Sequence, residues 1–237
     1  MGFVDLHSHV LFGLDDGSPD LATSLAMLDG LGALGVTEQC VTPHQKAAQF
    51  LPSFERIDAA FAAVDAARTA NHPTLRLAAE NMWDDVFFER LAHDQIPPYA
   101  RSKAFLVEIP PPLMPPNLRD RLFTLRMAGR VPVLAHPERY HAMWDDDALA
   151  TEIRRCAVFA IDLPALAGFH GKREAKQARH LVEIGLAGAV ATDSHNLGDI
   201  QQSQQGLQWL AKKLGSSAVD RLFGDAPRAI LAGDFVE

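Results

Sequence analysis

With 237 residues and 48% hydrophobic side chains, the chain can bury one sizeable core, and a single domain spanning residues 1–237 is expected. A formal net charge of −8 without clustered Lys and Arg argues against nucleic acid and anionic membrane as partners, because polyanion binding rests on neutralising phosphates. The N-terminus lacks a basic stretch leading into an apolar one, no long apolar run occurs, and Cys40 and Cys156 sit in short apolar runs, so a cytoplasmic protein with free thiols and no membrane insertion is expected.

Phe3 to Leu6 reads as a first short strand and runs into Asp5-Leu6-His7-Ser8-His9. An Asp15-Asp16-Gly17 turn follows, then a helix opened by Ser18-Pro19 and closed by Gly35. The second strand, Val36 to Thr42, leads into Thr42-Pro43-His44, and Ser53 caps an Ala-rich helix reaching Ala70. Leu75 to Ala79 ends at Glu80. Ala104 to Ile109 carries Glu108 and enters the proline-rich stretch to Pro116, a rigid loop rather than a linker because the alternation resumes beyond it. Further helices begin near Asn117, Asp145, Gly171 and Asp199. Val131 to Ala135, Val158 to Leu163 and Ala187 to Thr192 complete the strands, reaching His136, Asp162 and Asp193-Ser194-His195. Apolar strands alternating with helices give an α/β fold with a parallel sheet, and seven such units suit a closed or nearly closed barrel.

In a parallel barrel the C-terminal strand ends converge on one rim. Nearly every strand here ends in a histidine or an acid. His7 and His9 alone are weak evidence, since paired histidines also occur on surfaces. Glu80, Glu108 and Asp193 each follow an apolar run, where an unpaired carboxylate is costly to bury and a cation removes the cost. With His44, His136 and His195 at other strand ends, the pattern reads as a metal site. So many oxygen and nitrogen donors exceed the needs of one tetrahedral zinc, so two or three ions of the Zn, Mn or Fe kind are expected. Neighbouring cations acidify a shared water and clamp the attacking and leaving oxygens at phosphorus, which favours phosphate esters.

Together, Asp5-Leu6-His7-Ser8-His9, Asp15-Asp16-Gly17, Thr42-Pro43-His44, His136-Pro137-Glu138-Arg139-Tyr140, Asp193-Ser194-His195-Asn196-Leu197 and Asp225-Ala226-Pro227-Arg228 resemble the polymerase-and-histidinol-phosphatase (PHP) family over essentially the whole chain. Within it they are most similar to the bacterial tyrosine phosphatases of capsule and exopolysaccharide synthesis, the CpsB and YwqE type. The resemblance implies a distorted TIM-like (β/α)7 barrel with three divalent ions. It carries the ligand roles onto His7, His9, Asp16, His44, Glu80, Glu108, His136, Asp193 and His195, with Glu80 bridging. Asp16 is preferred to Asp15 because the family places the ligand directly before the glycine, leaving Asp15 to cap or orient.

The same resemblance assigns phosphate binding to Arg139, whose planar guanidinium can hold two phosphoryl oxygens; its other reading is a structural salt bridge with Glu138. Lys172 and Arg173 beside Gly171 add positive potential at a helix start or are solvated charges, and Asp162 contacts a ligand or caps a loop. His141 and His170 lie near the rim, His72, His93 and His180 away from it, and Trp83, Trp144 and Trp209 read as packing residues. The chain departs from the family pattern at Gly198-Asp199-Ile200, where a further arginine is usual, and at Gln45-Lys46-Ala47, where a basic run is usual. A weaker or differently supplied phosphate grip is therefore expected. The implied activity is hydrolysis of phosphotyrosine on a cytoplasmic protein, a tyrosine kinase regulating exopolysaccharide synthesis. Rival readings are a histidinol-phosphate type phosphatase, a barrel amidohydrolase and a non-catalytic metal-binding PHP module.

Overall fold

The computed structural model describes residues 2–99 and 102–237, and its strands are β1 (Phe3–Asp5), β2 (Val36–Val41), β3 (His44–Gln45), β4 (Thr74–Leu77), β5 (Glu80–Met82), β6 (Ala104–Glu108), β7 (Val131–Ala135), β8 (Val158–Asp162) and β9 (Ala189–Ala191). They pair in parallel in the orders β1-β2-β4 and β3-β5-β6-β7-β8-β9. β2 and β3 are halves of one strand kinked at Thr42-Pro43, and β4 and β5 are halves of another kinked at Ala78-Ala79. Backbone bonds from Ala78 N to Val41 O (3.0 Å) and from Glu80 N to Pro43 O (3.2 Å) carry the pairing across both kinks. Counted through those kinks, the strands are the seven expected from the sequence. The barrel closes where Asp193 N donates to His7 O (3.0 Å) and His9 N donates to Ser194 O (2.9 Å), beyond the ends of β1 and β9. Each connection between neighbouring strands passes over the outside, the arrangement parallel pairing requires.

Helices α1 (Leu21–Ala33), α2 (Phe54–Ala67), α3 (Asp85–Ala92), α4 (Leu118–Met127), α5 (Asp147–Arg154), α6 (Leu163–Ala167), α7 (Lys172–Glu183), α8 (Leu197–Leu214), α9 (Ser216–Asp220) and α10 (Ala226–Ala232) follow the strands. Their starts are chemically marked. Asp20 caps α1 by accepting from Thr23 N, Ser53 caps α2 through Arg56 N, and Asn196 with Asp199 forms a capping box on α8. The first helix thus begins two residues beyond Ser18-Pro19, and the second ends at Ala67 because Arg68 is already extended.

Strand side chains alternate between two apolar layers. Leu106, Val133, Ala135, Val158, Ala160 and Ala189 fill the inner one, while Phe105, Val107, Leu134, Phe159, Ile161 and Val190 face Met27, Leu28, Leu122, Leu181 and Leu210 of the helices. Small residues on the inner face leave room for the polar cluster above them. Cys40 and Cys156 are free and buried, as expected, and among the described residues no helix is long and apolar enough to cross a membrane.

Candidate metal centre

Strand parity sets which side chains reach the rim's interior. Glu108 continues the inward phase of Ala104 and Leu106, and Asp162 that of Val158 and Ala160. His136 is out of phase with Val133 and Ala135. It turns inward because its backbone is left-handed, with φ 35°, and Asp193 is left-handed too, with φ 45°. Such conformations cost about 1–3 kcal/mol each for residues with a Cβ and persist where function requires them.

The nine expected ligands converge. His7 Nε2 lies 3.4 Å from Glu80 Oε2 and 3.2 Å from Asp193 Oδ1. His9 Nε2 lies 3.5 Å from each of the same two oxygens and 3.2 Å from His7 Nε2. On the far side of Glu80, its Oε1 is 3.0 Å from His136 Nε2, which is 4.0 Å from Glu108 Oε1. A third grouping stands toward solvent, with Asp16 Oδ1 3.4 Å from His44 Nε2 and 3.5 Å from His195 Nε2. Glu80 is common to the first two groupings, and its Oε2 also lies 2.7 Å from His44 Nδ1.

The two adjacent aspartates divide their work. Asp15 accepts from His9 Nδ1 (2.8 Å), from His44 N (3.0 Å) and, through its other oxygen, from Gly17 N (3.0 Å). It fixes the His9 ring with Nε2 toward the cluster, as carboxylates behind metal-binding imidazoles do. Half-exposed Asp16 is left to face His44 and His195. Gly17 is required by contact, because a Cβ there would stand 2.3 Å from His9 O. Asp199, at the position where a further arginine was sought, caps α8 and accepts from His195 N (2.8 Å), steadying the last histidine.

Arg139 has partners the sequence did not reveal. Its Nη2 donates to Asp162 Oδ2 (2.5 Å) and Asp193 Oδ2 (2.8 Å) and lies 3.0 Å from His170 Nδ1. The salt-bridge alternative therefore involves Asp162 and Asp193, not Glu138. Glu138 is fully buried, accepts from Asp162 N (3.3 Å), and is pushed well above the usual carboxylate range by burial and by the Asp162 charge. Asp162 ties down Arg139. Arg173 lies over the Trp144 ring (5.1 Å), and Lys172 lines a surface cavity of about 480 Å³ with Lys176 and Arg179 on α7. Lys46, in the Gln45-Lys46-Ala47 segment, brings its Nζ within 3.8 Å of Glu108 Oε2. His180 pairs with Asp147 (2.7 Å) and His72 with Asp29 (2.8 Å), both outside the cluster.

A sequence model of the family described as capsular polysaccharide synthesis, CpsB/CapC, matches residues 3–232. The chain belongs to the CpsB/CapC family. It is 28% identical over 242 aligned residues to tyrosine-protein phosphatase CpsB of Streptococcus pneumoniae, covering 98% of this chain and 100% of that protein. Against tyrosine-protein phosphatase YwqE of Bacillus subtilis it is 27% identical over 226, covering 90% and 85%. A solved structure from the work on these two proteins, there called unique metal-dependent tyrosine phosphatases, matches with a TM-score of 0.86 at 25% identity, covering 99% of this chain and 96% of that one. The phosphotriesterase homology protein of Escherichia coli shares only the fold, with a TM-score of 0.57 at 10% identity. Both the barrel expected from the sequence and the family resemblance hold.

The donor set of this CpsB/CapC family member fits divalent cations. Glu80 Oε2, the oxygen that faces His7, His9 and His44, is buried without a hydrogen-bond partner, as is His44 Nδ1 beside it, a costly state that a cation relieves. Burial opposes charge on both Glu80 and Asp193, yet the surrounding cationic groups, His7 foremost, hold both carboxyls well below their ordinary range. Burial likewise disfavours a charged His7, but the Asp193 and Glu80 carboxylates override it and push its pKa up to about 9. In the metal-free protein His7 therefore keeps a proton at neutral pH that a cation must displace, and above about 9 it has none to displace. Metal affinity is expected to rise with pH toward that value. Calorimetry in buffers of differing ionisation enthalpy reads the protons released, and equal release at neutral pH and well above pH 9 would refute this assignment.

Proposed function

We propose that this chain hydrolyses phosphotyrosine on a protein, with residues 1–237 acting as one catalytic domain and two or three Mn, Fe or Zn ions at the rim. The observation that carries the reading is Glu80, buried and facing His7 and His9 on one side and His136 and Glu108 on the other, with the Arg139 guanidinium turned to the same rim beside Asp193. His7, His9, Glu80 and Asp193 would hold one ion, Glu80, Glu108 and His136 a second, and Asp16, His44 and His195 a third. When bound, such ions supply Lewis acidity at the phosphoryl oxygens and lower the pKa of a water.

The chain's own groups do the rest. Asp15 fixes the His9 ring, Asp199 steadies His195, and Arg139 offers planar donors to the phosphoryl group while Asp162 and Asp193 fix its position. Lys46 adds a second positive charge beside Glu108, consistent with a phosphate grip differently supplied. A tyrosine phenolate, with a pKa of about 10, leaves with less need of a proton than an alkoxide, so no dedicated general acid is required. The protein substrate we favour is a cytoplasmic tyrosine kinase regulating capsule or exopolysaccharide synthesis, since the relatives carry the name tyrosine-protein phosphatase and the family is one of capsular polysaccharide synthesis.

Parallel assays on a phosphotyrosine peptide and on histidinol phosphate test the reading. The expected result is turnover of the peptide with little of the alkyl phosphate. Preference for histidinol phosphate would make this a small-molecule phosphatase using the same centre.

A further inference from the structure

The first grouping of proposed ligands straddles the join between β1 and β9 where the barrel closes. His7 and His9 follow β1, whereas Asp193 follows β9, and among the described residues these two strands share no ladder bond within their spans. A side chain adds to the two backbone bonds that close the barrel beyond the strand ends. Asp5, fully buried at the end of β1, accepts from Thr192 N (3.0 Å) and His7 N (3.3 Å) through Oδ1, and from Thr192 Oγ1 (2.6 Å) and Gln39 Nε2 (3.0 Å) through Oδ2. The Thr192 hydroxyl also lies 3.0 Å from Ser194 Oγ and 3.2 Å from His7 O. Every contact thus reaches a residue next to a proposed ligand or the strand that carries one.

The chemistry explains why an acid stands there. Both Asp5 oxygens face donors, and an asparagine would set its own N–H groups against Gln39 Nε2 or Thr192 N. Burying a charge whose direct partners are all neutral is expensive, and four donors on one carboxylate offset it. From this geometry we infer that Asp5, acting through Thr192, is a positioning residue that holds the metal-binding ends of β1 and β9 in register. The inference rests on the reading that His7, His9, Glu80 and Asp193 share an ion.

The decisive variant is Thr192→Val, which keeps the side chain's shape and removes the hydroxyl. Titration of metal-free protein with Mn²⁺ or Zn²⁺ is expected to show affinity at one site weakened about tenfold or more, the usual scale for groups that orient ligands. Thr192→Ser should restore it, and Asp5→Asn should weaken it at least as much as Thr192→Val. Val190→Ala serves as the control for general destabilisation. Val190 lies on β9 but faces the helix layer, so this variant should melt earlier yet bind metal fully. Unchanged affinity in Thr192→Val, or an equal loss in Val190→Ala, would overturn the inference. Separately, full metal binding by His7→Ala and Asp193→Ala would sink the ligand reading beneath it.

Discussion

Stripping the protein of metal is expected to abolish hydrolysis, and a divalent transition metal to restore it. Glu80→Ala and His136→Ala should lose both activity and metal. Glu80 is the more damaging position, because its carboxylate faces two of the three donor groupings and is buried, so its removal leaves His7, His9, His44 and His136 crowded without their common counter-charge. A drop in turnover of about a thousandfold or more is expected, since no side chain at the rim replaces what a cation does for water. His180→Ala should behave as wild type. Its partner is Asp147 in a solvent-facing pair, worth little to stability. Turnover of para-nitrophenyl phosphate alongside elemental analysis of each variant reads the result. Full activity in a metal-free preparation would defeat the mechanism, and a silent His136→Ala beside a crippled His180→Ala would misplace the rim.

The strands were legible because each is an apolar run too short for a helix and stopped by a polar residue. Parallel pairing puts the strand ends on one side and so gathers eight of the nine rim residues, whereas Asp16 lies in the loop after His9 and was placed by the family resemblance, and the left-handed turn that brings His136 inward was not legible. Less of the helical layer could be read. α3 and the short helices α6, α9 and α10 have few turns over which a period can declare itself. The kinks separating β2 from β3 and β4 from β5 were equally hidden, though Pro43 marks one of them.

Partnerships between distant strands were the least accessible. Glu138 neighbours Arg139 in sequence and was the natural guess for its ion pair, yet beyond the 3-10 turn Pro137–Arg139 the Glu138 carboxyl meets the Asp162 backbone N–H, and the acids that hold Arg139 come from the ends of β8 and β9. Asp5 looked like one letter of a histidine motif. Its role at the β1–β9 seam exists only once the barrel closes, because Thr192 is 187 residues away.

Arg139→Ala is expected to lose about a hundredfold in turnover, the usual scale for removing one oriented charge contact from a transition state. The structure adds a second consequence. Asp193 turns Oδ1 toward His7 and His9 and Oδ2 toward Arg139, so the guanidinium orients a proposed ligand as well as facing substrate. The variant should therefore hold metal more weakly at that site while keeping its fold, and kinetics must be measured at saturating Mn²⁺ to separate the two losses. Arg139→Lys should recover only part. A single ammonium can meet Asp162, Asp193 or a phosphoryl oxygen, but it lacks the planar donors that serve several at once. Steady-state kinetics on para-nitrophenyl phosphate and a phosphotyrosine peptide, with metal content measured for each variant, would separate the roles. If saturating metal restored Arg139→Ala to near wild-type efficiency on both substrates, the guanidinium would be a positioning group alone. The phosphoryl contact would then pass to Lys46, whose ammonium stands 3.8 Å from Glu108 on the same rim.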